Sequence, residues 1–284
     1  MNYNKLRAIA QSNRKTHLTY LRAILLYLLA NAAAFLLLCI IFVLGYKVFS
    51  GSFAGFDQWS GNGPADDIFA ILWTVPVVII SMVWFHGHFD QGHVVTRRRY
   101  WPFVLMCVAF ALFEFIPEGI VEDFLALPDD ISDSYQDHYH GVMGTTLMFI
   151  STAIVPPIME ELMCRGVILR YLLKMRWNAW WAIIISALFF SILHFNWAQM
   201  PGALFSGIVW GWIYWKVRSI VPTMLMHMVN NLVIAILIKI PGIDAGGTML
   251  QMFGGNAPLL YAVAAVCLVL QVITLIKMVR FFKK

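Results

Sequence analysis

Charge is what this sequence has least of. Only 12% of its 284 residues are Asp, Glu, Lys or Arg, against about a quarter in an ordinary water-soluble domain. With 61% hydrophobic residues and a mean hydropathy of +0.75, that scarcity excludes a single core surrounded by water, because a chain of this size cannot hide so much apolar surface in its own interior. Lipid is the remaining solvent. Cysteine is sparse as well. Cys39, Cys107, Cys164 and Cys267 lie far apart in apolar runs and form no CxxC pair, which excludes a zinc knuckle or a redox motif and leaves packing thiols. There is no evident secretory signal, internal repeat, low-complexity tract or C-terminal Cys-a-a-X. The first apolar run follows Lys5, Arg7, Arg14 and Lys15 and reads as an uncleaved anchor.

What the chain does have is apolar runs of membrane-crossing length. A helix needs roughly 20 apolar residues to cross about 30 Å of hydrocarbon. Eight such runs stand out, at about 20–46, 68–86, 101–117, 142–173, 178–197, 202–215, 220–239 and 258–276. They predict an all-α, polytopic transmembrane helix bundle forming one membrane domain over 1–284. Alternating the eight across the bilayer with both termini in the cytoplasm leaves only Lys47 and Lys239 of the 20 basic residues outside, as expected of a chain oriented by its cytoplasmic positive charge. The net charge of +5 is then a matter of topology, and it argues against nucleic acid as a partner. The outside connections are acidic. The stretch from Pro117 to Gly141, with Glu118, Glu122, Asp123, Asp129, Asp130, Asp133 and Asp137, reads as a solvated loop, as does the stretch from Gly51 to Asp67; the former lacks the ligand spacing of a known calcium loop.

Ionisable groups in hydrocarbon are costly and mark function by default. Glu160 and Glu161 sit in the run Ile154-Val-Pro-Pro-Ile-Met-Glu-Glu-Leu-Met-Cys-Arg165, His194 closes an apolar run from Ile183, and His227 and Asn231 lie in Pro222-Thr-Met-Leu-Met-His-Met-Val-Asn-Asn-Leu232. On a helix Glu161 and Arg165, four apart, share a face, whereas Glu160 points about 100° away from Glu161. One carboxylate can thus be neutralised by Arg165 while the other, Glu160, stays available as a general base. The alternative is a structural Glu–Arg pair. Phe190 and His194 share a face, so the ring can hold the imidazole; His227 and Asn231 do likewise and can converge as donors to a developing oxyanion. Other polar groups carry less. His86, His88 and His93 have ligand-like spacing but lie beside Arg97, Arg98 and Arg99, where cations repel. Glu114 is expected to reach interfacial water at the outer end of its span, and Gly202, Gly207 and Gly211 to allow close helix packing.

Three patterns now stand in order on three spans: Glu-Glu-x-x-x-Arg (Glu160, Glu161, Arg165), Phe-x-x-x-His (Phe190, His194) and His-x-x-x-Asn (His227, Asn231). They resemble the signature motifs of the CPBP family, the CAAX prenyl proteases and bacteriocin-processing membrane proteases. Arg165-Gly-Val-Ile-Leu after the glutamates, and the stretch from Gly207 to Asn231 with its basic turn at Lys216–Arg218, look like that family too. The resemblance covers about 155–235, inside a motif-bearing core at about 142–240. It implies an intramembrane endopeptidase acting on a peptide or protein at the bilayer. Carried over, Glu160 with His194 would activate water, His227 and Asn231 would stabilise the oxyanion, and Glu161, Arg165 and Phe190 would shape the site. No cofactor is expected; were zinc held instead, Glu160, Glu161, His194 and His227 would be its ligands. Two rival readings are a non-catalytic immunity or peptide-binding protein and a proton-coupled transporter. The second would favour symmetric halves with broken helices, which the sequence does not show.

Overall fold

A chain in lipid has to satisfy its backbone polar groups internally, and helices do so within each segment. In the computed structural model, which describes residues 3–56, 59, 64–85, 97–125, 147–194, 199–237, 240 and 248–281, every regular element is helical. In chain order these are α1 (Tyr3–Ser50), α2 (Pro64–Phe85), α3 (Arg97–Leu125), α4 (Leu147–Ala153), α5 (Val155–Glu161), a π-helical stretch (Leu162–Leu169), α6 (Arg170–Lys174), α7 (Ala179–Leu193), α8 (Met200–Val217), α9 (Val221–Leu237), α10 (Met249–Met252) and α11 (Ala257–Phe281). By length and composition, His17–Ser50, Arg99–Phe124 and Ala257–Phe281 could each cross a membrane, and Ile71–Val83, Ala179–Leu193 and Val221–Leu237 are shorter apolar helices. The protein is an all-α integral membrane protein.

Burial separates the lipid-facing helices from the inner ones. Along α1, Leu25, Leu36, Leu37, Ile41 and Leu44 are exposed, and along α11 Tyr261, Val266, Val269 and Val272 are too. Apolar surface this continuous is not tolerated in water. The inner layer is α3, α5, the π-helical stretch, α7, α8 and α9, whose Phe103, Cys107, Phe110, Cys164, Val167, Phe190, Trp210, Ile213 and Met226 form one buried cluster. On this layer α7 packs against α8, α3 against α9 and α11, and α1 against α2. A buried bond between Tyr27 Oη and Ser81 Oγ, 2.7 Å, ties α1 to α2.

Three features differ from the sequence reading. The 142–173 run is not one helix. Over its described part it breaks at Ile154, where α5 starts with proline in its first turn. Proline lacks the N–H that would continue the ladder. It then widens into the π-helical stretch directly after Glu161. The span read as ending at Pro117 does not end there. Pro102 and Pro117 both lie inside α3, and Glu118, Glu122 and Asp123, read as members of a solvated loop, are half-buried on its last turns. Glu114, read as reaching interfacial water, is fully buried. The rest of that acidic stretch, His86, His88 and His93, and the side chains of Arg97 and Arg98 lie outside the described residues.

Close packing explains two of the three glycines. A Cβ on Gly207 would meet Ala187 Cβ at 3.0 Å and its Cα at 3.1 Å, and one on Gly211 would meet Ile183 Cγ2 at 3.1 Å. The absent side chains thus let α8 press onto α7. Gly202 is different, because its Cβ would meet Glu118 Cγ at 2.8 Å and Glu122 Oε1 at 2.9 Å.

Candidate active site

Local sequence sets where each polar group emerges. α7 begins where Asn178 Oδ1 accepts a hydrogen bond from the Trp180 N–H, 2.9 Å, the usual service of an N-cap asparagine. It ends at Leu193, leaving His194 on the helix terminus. α8 stops where Arg218 turns left-handed, φ 56°, and α9 starts three residues later, with Pro222 in its first turn. α9 then carries His227 inward, where it is buried. On the other side, α5 delivers Glu160 and Glu161 in its last two positions.

The two glutamates receive different neighbours. Arg165 Nη1 donates to Glu161 Oε1 at 2.7 Å, with both side chains fully buried. Arg165 Nη2 also donates to the Gly207 carbonyl at 3.2 Å, and the guanidinium lies over the Phe190 ring, 4.5 Å from its centroid. A buried arginine with a carboxylate, a carbonyl and an aromatic face is held in one orientation. Glu160 has no such tether. Its side chain keeps 15% exposure, and its Oε2 atom has no hydrogen-bond partner among the described residues.

The imidazole of His227 stands between them. Nε2 is 3.8 Å from Glu160 Oε2 and Nδ1 is 3.5 Å from Glu161 Oε1. The Phe190 ring meets it edge-on at 5.4 Å between centroids, and the Trp210 indole lies against it at 4.9 Å. His194 joins through the same phenyl ring, edge-on at 4.9 Å. Its Nδ1 is 2.9 Å from the Phe190 carbonyl. A carbonyl can only accept, so Nδ1 carries the hydrogen and Nε2 of the neutral ring is left to accept. Asn231 lies further off, with Nδ2 donating to the Thr152 carbonyl of α4 at 2.9 Å. That bond uses one of two amide hydrogens.

The structure therefore brings Glu160, Glu161, Arg165, Phe190 and His227 into one buried group, with His194 attached through Phe190 and Asn231 tied to α4. Among the described residues no three His, Cys, Asp or Glu side chains are arranged to hold a metal ion, so the four-residue zinc set does not appear as a converged group. Sequence reading missed Trp210, which packs on His227 and stands 5.7 Å from Phe190. It also missed a second acidic group. Ser206 Oγ lies 3.0 Å from Glu114 Oε1 and 2.8 Å from Glu118 Oε1, Trp210 Nε1 donates to Glu114 Oε2 at 3.3 Å, and Asn230 Nδ2 donates to Glu118 Oε2 at 3.2 Å. The spacing Glu114, Glu118, Glu122 puts three carboxyls on one helix face, a signal in the sequence that the reading of Pro117 as a helix end concealed.

No curated protein and no solved structure matches the chain. Residues 142–233 match the model of a family described as type II CAAX prenyl endopeptidase, Rce1-like. The matched stretch contains all three motifs and most of α9. This stretch, about a third of the chain, is similar to the CAAX-type membrane proteases.

Proposed function

We propose that the protein hydrolyses a peptide bond within the membrane, with Glu160 as general base. The observation that carries the reading is the asymmetry of the two glutamates around His227. Glu161 is bound to Arg165 and fully buried, whereas Glu160 faces the same imidazole without a guanidinium and keeps some exposure. In the reaction Glu160 takes a proton from water, which the accepting Nε2 of His194 helps to orient, as the oxygen attacks the scissile carbonyl. The negative charge passes to the carbonyl oxygen, where His227 and the second amide hydrogen of Asn231 donate. When the tetrahedral intermediate collapses, the proton held by Glu160 goes to the leaving amine. Donors placed where charge develops are worth most in a site from which water is largely excluded. No resident metal or cofactor enters these steps.

The family description points to a peptide whose C-terminal cysteine motif carries a prenyl chain. A lipid-anchored substrate would reach a buried site laterally, at the level of the bilayer. The basic asymmetry of the sequence supports cytoplasmic termini in an eight-span arrangement, with the catalytic core at 142–240. The test is cleavage by the purified protein in liposomes of a farnesylated peptide ending in Cys-a-a-X, read by mass spectrometry. Release of the terminal tripeptide is the expected result. Equal cleavage of the unprenylated peptide would remove the lipid from the specificity. Cleavage of neither peptide by folded protein would favour a peptide-binding role instead.

A further inference from the structure

Glu114 lies outside the stretch that matches the family, on a helix that contributes none of the three motifs, yet it is one of the most completely buried side chains of the protein. A buried carboxyl requires partners, and its two hydrogen-bond partners among the described residues are both on α8. Ser206 Oγ reaches Oε1 and Trp210 Nε1–H donates to Oε2. The tryptophan is the informative one. Its indole packs against the His227 imidazole at 4.9 Å, stands 5.7 Å from the Phe190 ring and lies beneath the Arg165 guanidinium at 5.6 Å. Phe190 and Trp210 thus form an adjoining pair of rings against His227, and both face Arg165. An indole has a single N–H donor, so the bond to Glu114 selects which way the ring lies in its slot. Turning the indole over would leave both the N–H and the carboxyl without this partner in a buried place.

We infer that Glu114 is a positioning residue for the active site, holding the Trp210 indole so that it sets the orientation of His227 between Glu160 and Glu161. The inference rests on the proposed peptidase role of that group. The Ser206 hydroxyl supports the carboxyl from the other side. It carries one hydrogen and lies between Glu114 and Glu118, so α3 meets α8 through a continuous polar chain rather than a single bond. Positioning through an intermediate side chain affects the reacting geometry more than substrate affinity, and small misplacements of a catalytic group are costly in rate.

The experiment compares Glu114→Leu, Glu114→Gln, Trp210→Phe and the Glu114→Leu/Trp210→Phe double variant in the liposome cleavage assay with the farnesylated peptide, with Glu160→Gln alongside. Glu114→Leu should lower kcat about tenfold or more with little change in KM. Glu114→Gln keeps a carbonyl acceptor for the indole N–H and should restore most of the rate. Trp210→Phe keeps a ring but loses the N–H, and the double variant should be no slower than the worse single one, as expected of residues that act through one contact. A folded Glu114→Leu protein with wild-type kcat, or losses that multiply in the double variant, would overturn the inference. Should Glu114→Leu fail to accumulate, Trp210→Phe decides alone, and a wild-type kcat there sinks the idea. An inactive Glu160→Gln next to an active Glu114→Leu would remove the positioning role only. An active Glu160→Gln would remove the catalytic reading beneath it.

Discussion

Two groups of glutamates lie buried in this bundle, and they are built in opposite ways. Glu161 finds its countercharge four residues along the same chain segment, in Arg165. Among the described residues Glu114 and Glu118 have no basic side chain as a hydrogen-bond partner; they are met by hydroxyl, indole and amide groups from α8 and α9. The first arrangement ties one carboxylate to a guanidinium and leaves its neighbour Glu160, the proposed base, without one. The second shares neutral donors among several carboxyls and suits support rather than chemistry. Buried charge is therefore not enough to identify a catalytic group. What sets Glu160 apart from Glu161 is that it faces the imidazole without a guanidinium partner and with its side chain still 15% exposed.

The comparison is broken most directly by Glu160→Gln. The amide keeps the shape but cannot take the proton, so turnover should fall by about 10²- to 10⁴-fold, the usual worth of a positioned general base, while the melting temperature stays near wild type. A variant that cleaves at the wild-type rate would put Glu160 with the supporting carboxyls. Glu161→Gln should behave in the contrary sense. It leaves Arg165 buried without its countercharge, a loss of about 3 kcal/mol or more when one member of a buried pair is removed. Chemical or thermal unfolding should detect it before any rate assay does. An Glu161→Gln protein as stable as wild type would mean that the Gly207 carbonyl and the Phe190 ring suffice to hold the guanidinium.

These two groups also differ in how far the sequence reveals them. The Glu161–Arg165 and Phe190–His194 relations are four residues apart, within the reach of helical geometry, and both are present as contacts. The helical class and the lipid environment follow from composition for the same reason, since neither depends on which helices meet. The relations of Glu114 and Glu118 span 88 to 112 residues, and no local periodicity can express them. The break at Ile154 was signalled by Pro156-Pro157. The π-helical widening after Glu161 was not, because it depends on how the inner helices pack around that turn, and such widenings recur at functional sites. Pro117 misled in the other direction, because α3 continues through it to Leu125.

Asn231→Ala tests a residue with one observed role and one proposed role. Its amide is tied to the Thr152 carbonyl, a supporting role, while its second hydrogen is proposed to face the oxyanion. Loss of one such donor lowers the rate by about 10²- to 10³-fold; loss of a supporting hydrogen bond alone costs about 1 kcal/mol of stability. A rate deficit with near-normal binding of the uncut peptide would place Asn231 with the reacting group. A stability deficit with an unchanged rate would place it with α4.

The smallest expected effects come from glycine substitutions that probe how much slack surrounds each group. Alanine in a helix gains roughly 0.5–1 kcal/mol over glycine from backbone entropy alone, so any deficit measures crowding. At Gly207 the new methyl would meet the Ala187 Cα at 3.1 Å and Phe190 Cδ1 at 3.3 Å, and a main-chain atom cannot turn aside. Overpacking there should cost about 1–3 kcal/mol. It should also disturb the rate, because the Gly207 carbonyl holds Arg165 and Phe190 lines His227. At Gly202 the methyl would meet the side chains of Glu118 and Glu122, with Glu118 Cγ at 2.8 Å, so Glu118 has to shift at the expense of its bonds from Ser206 and Asn230. No main-chain atom stands in the way there, the entropy gain offsets part of the cost, and Gly202→Ala should cost less than Gly207→Ala, about 1 kcal/mol. Equal destabilisation at the two positions would show that the carboxyls of the second group are held as tightly as the Phe190–Trp210 pair, and the distinction between a rigid proposed reacting group and a more compliant support would not stand.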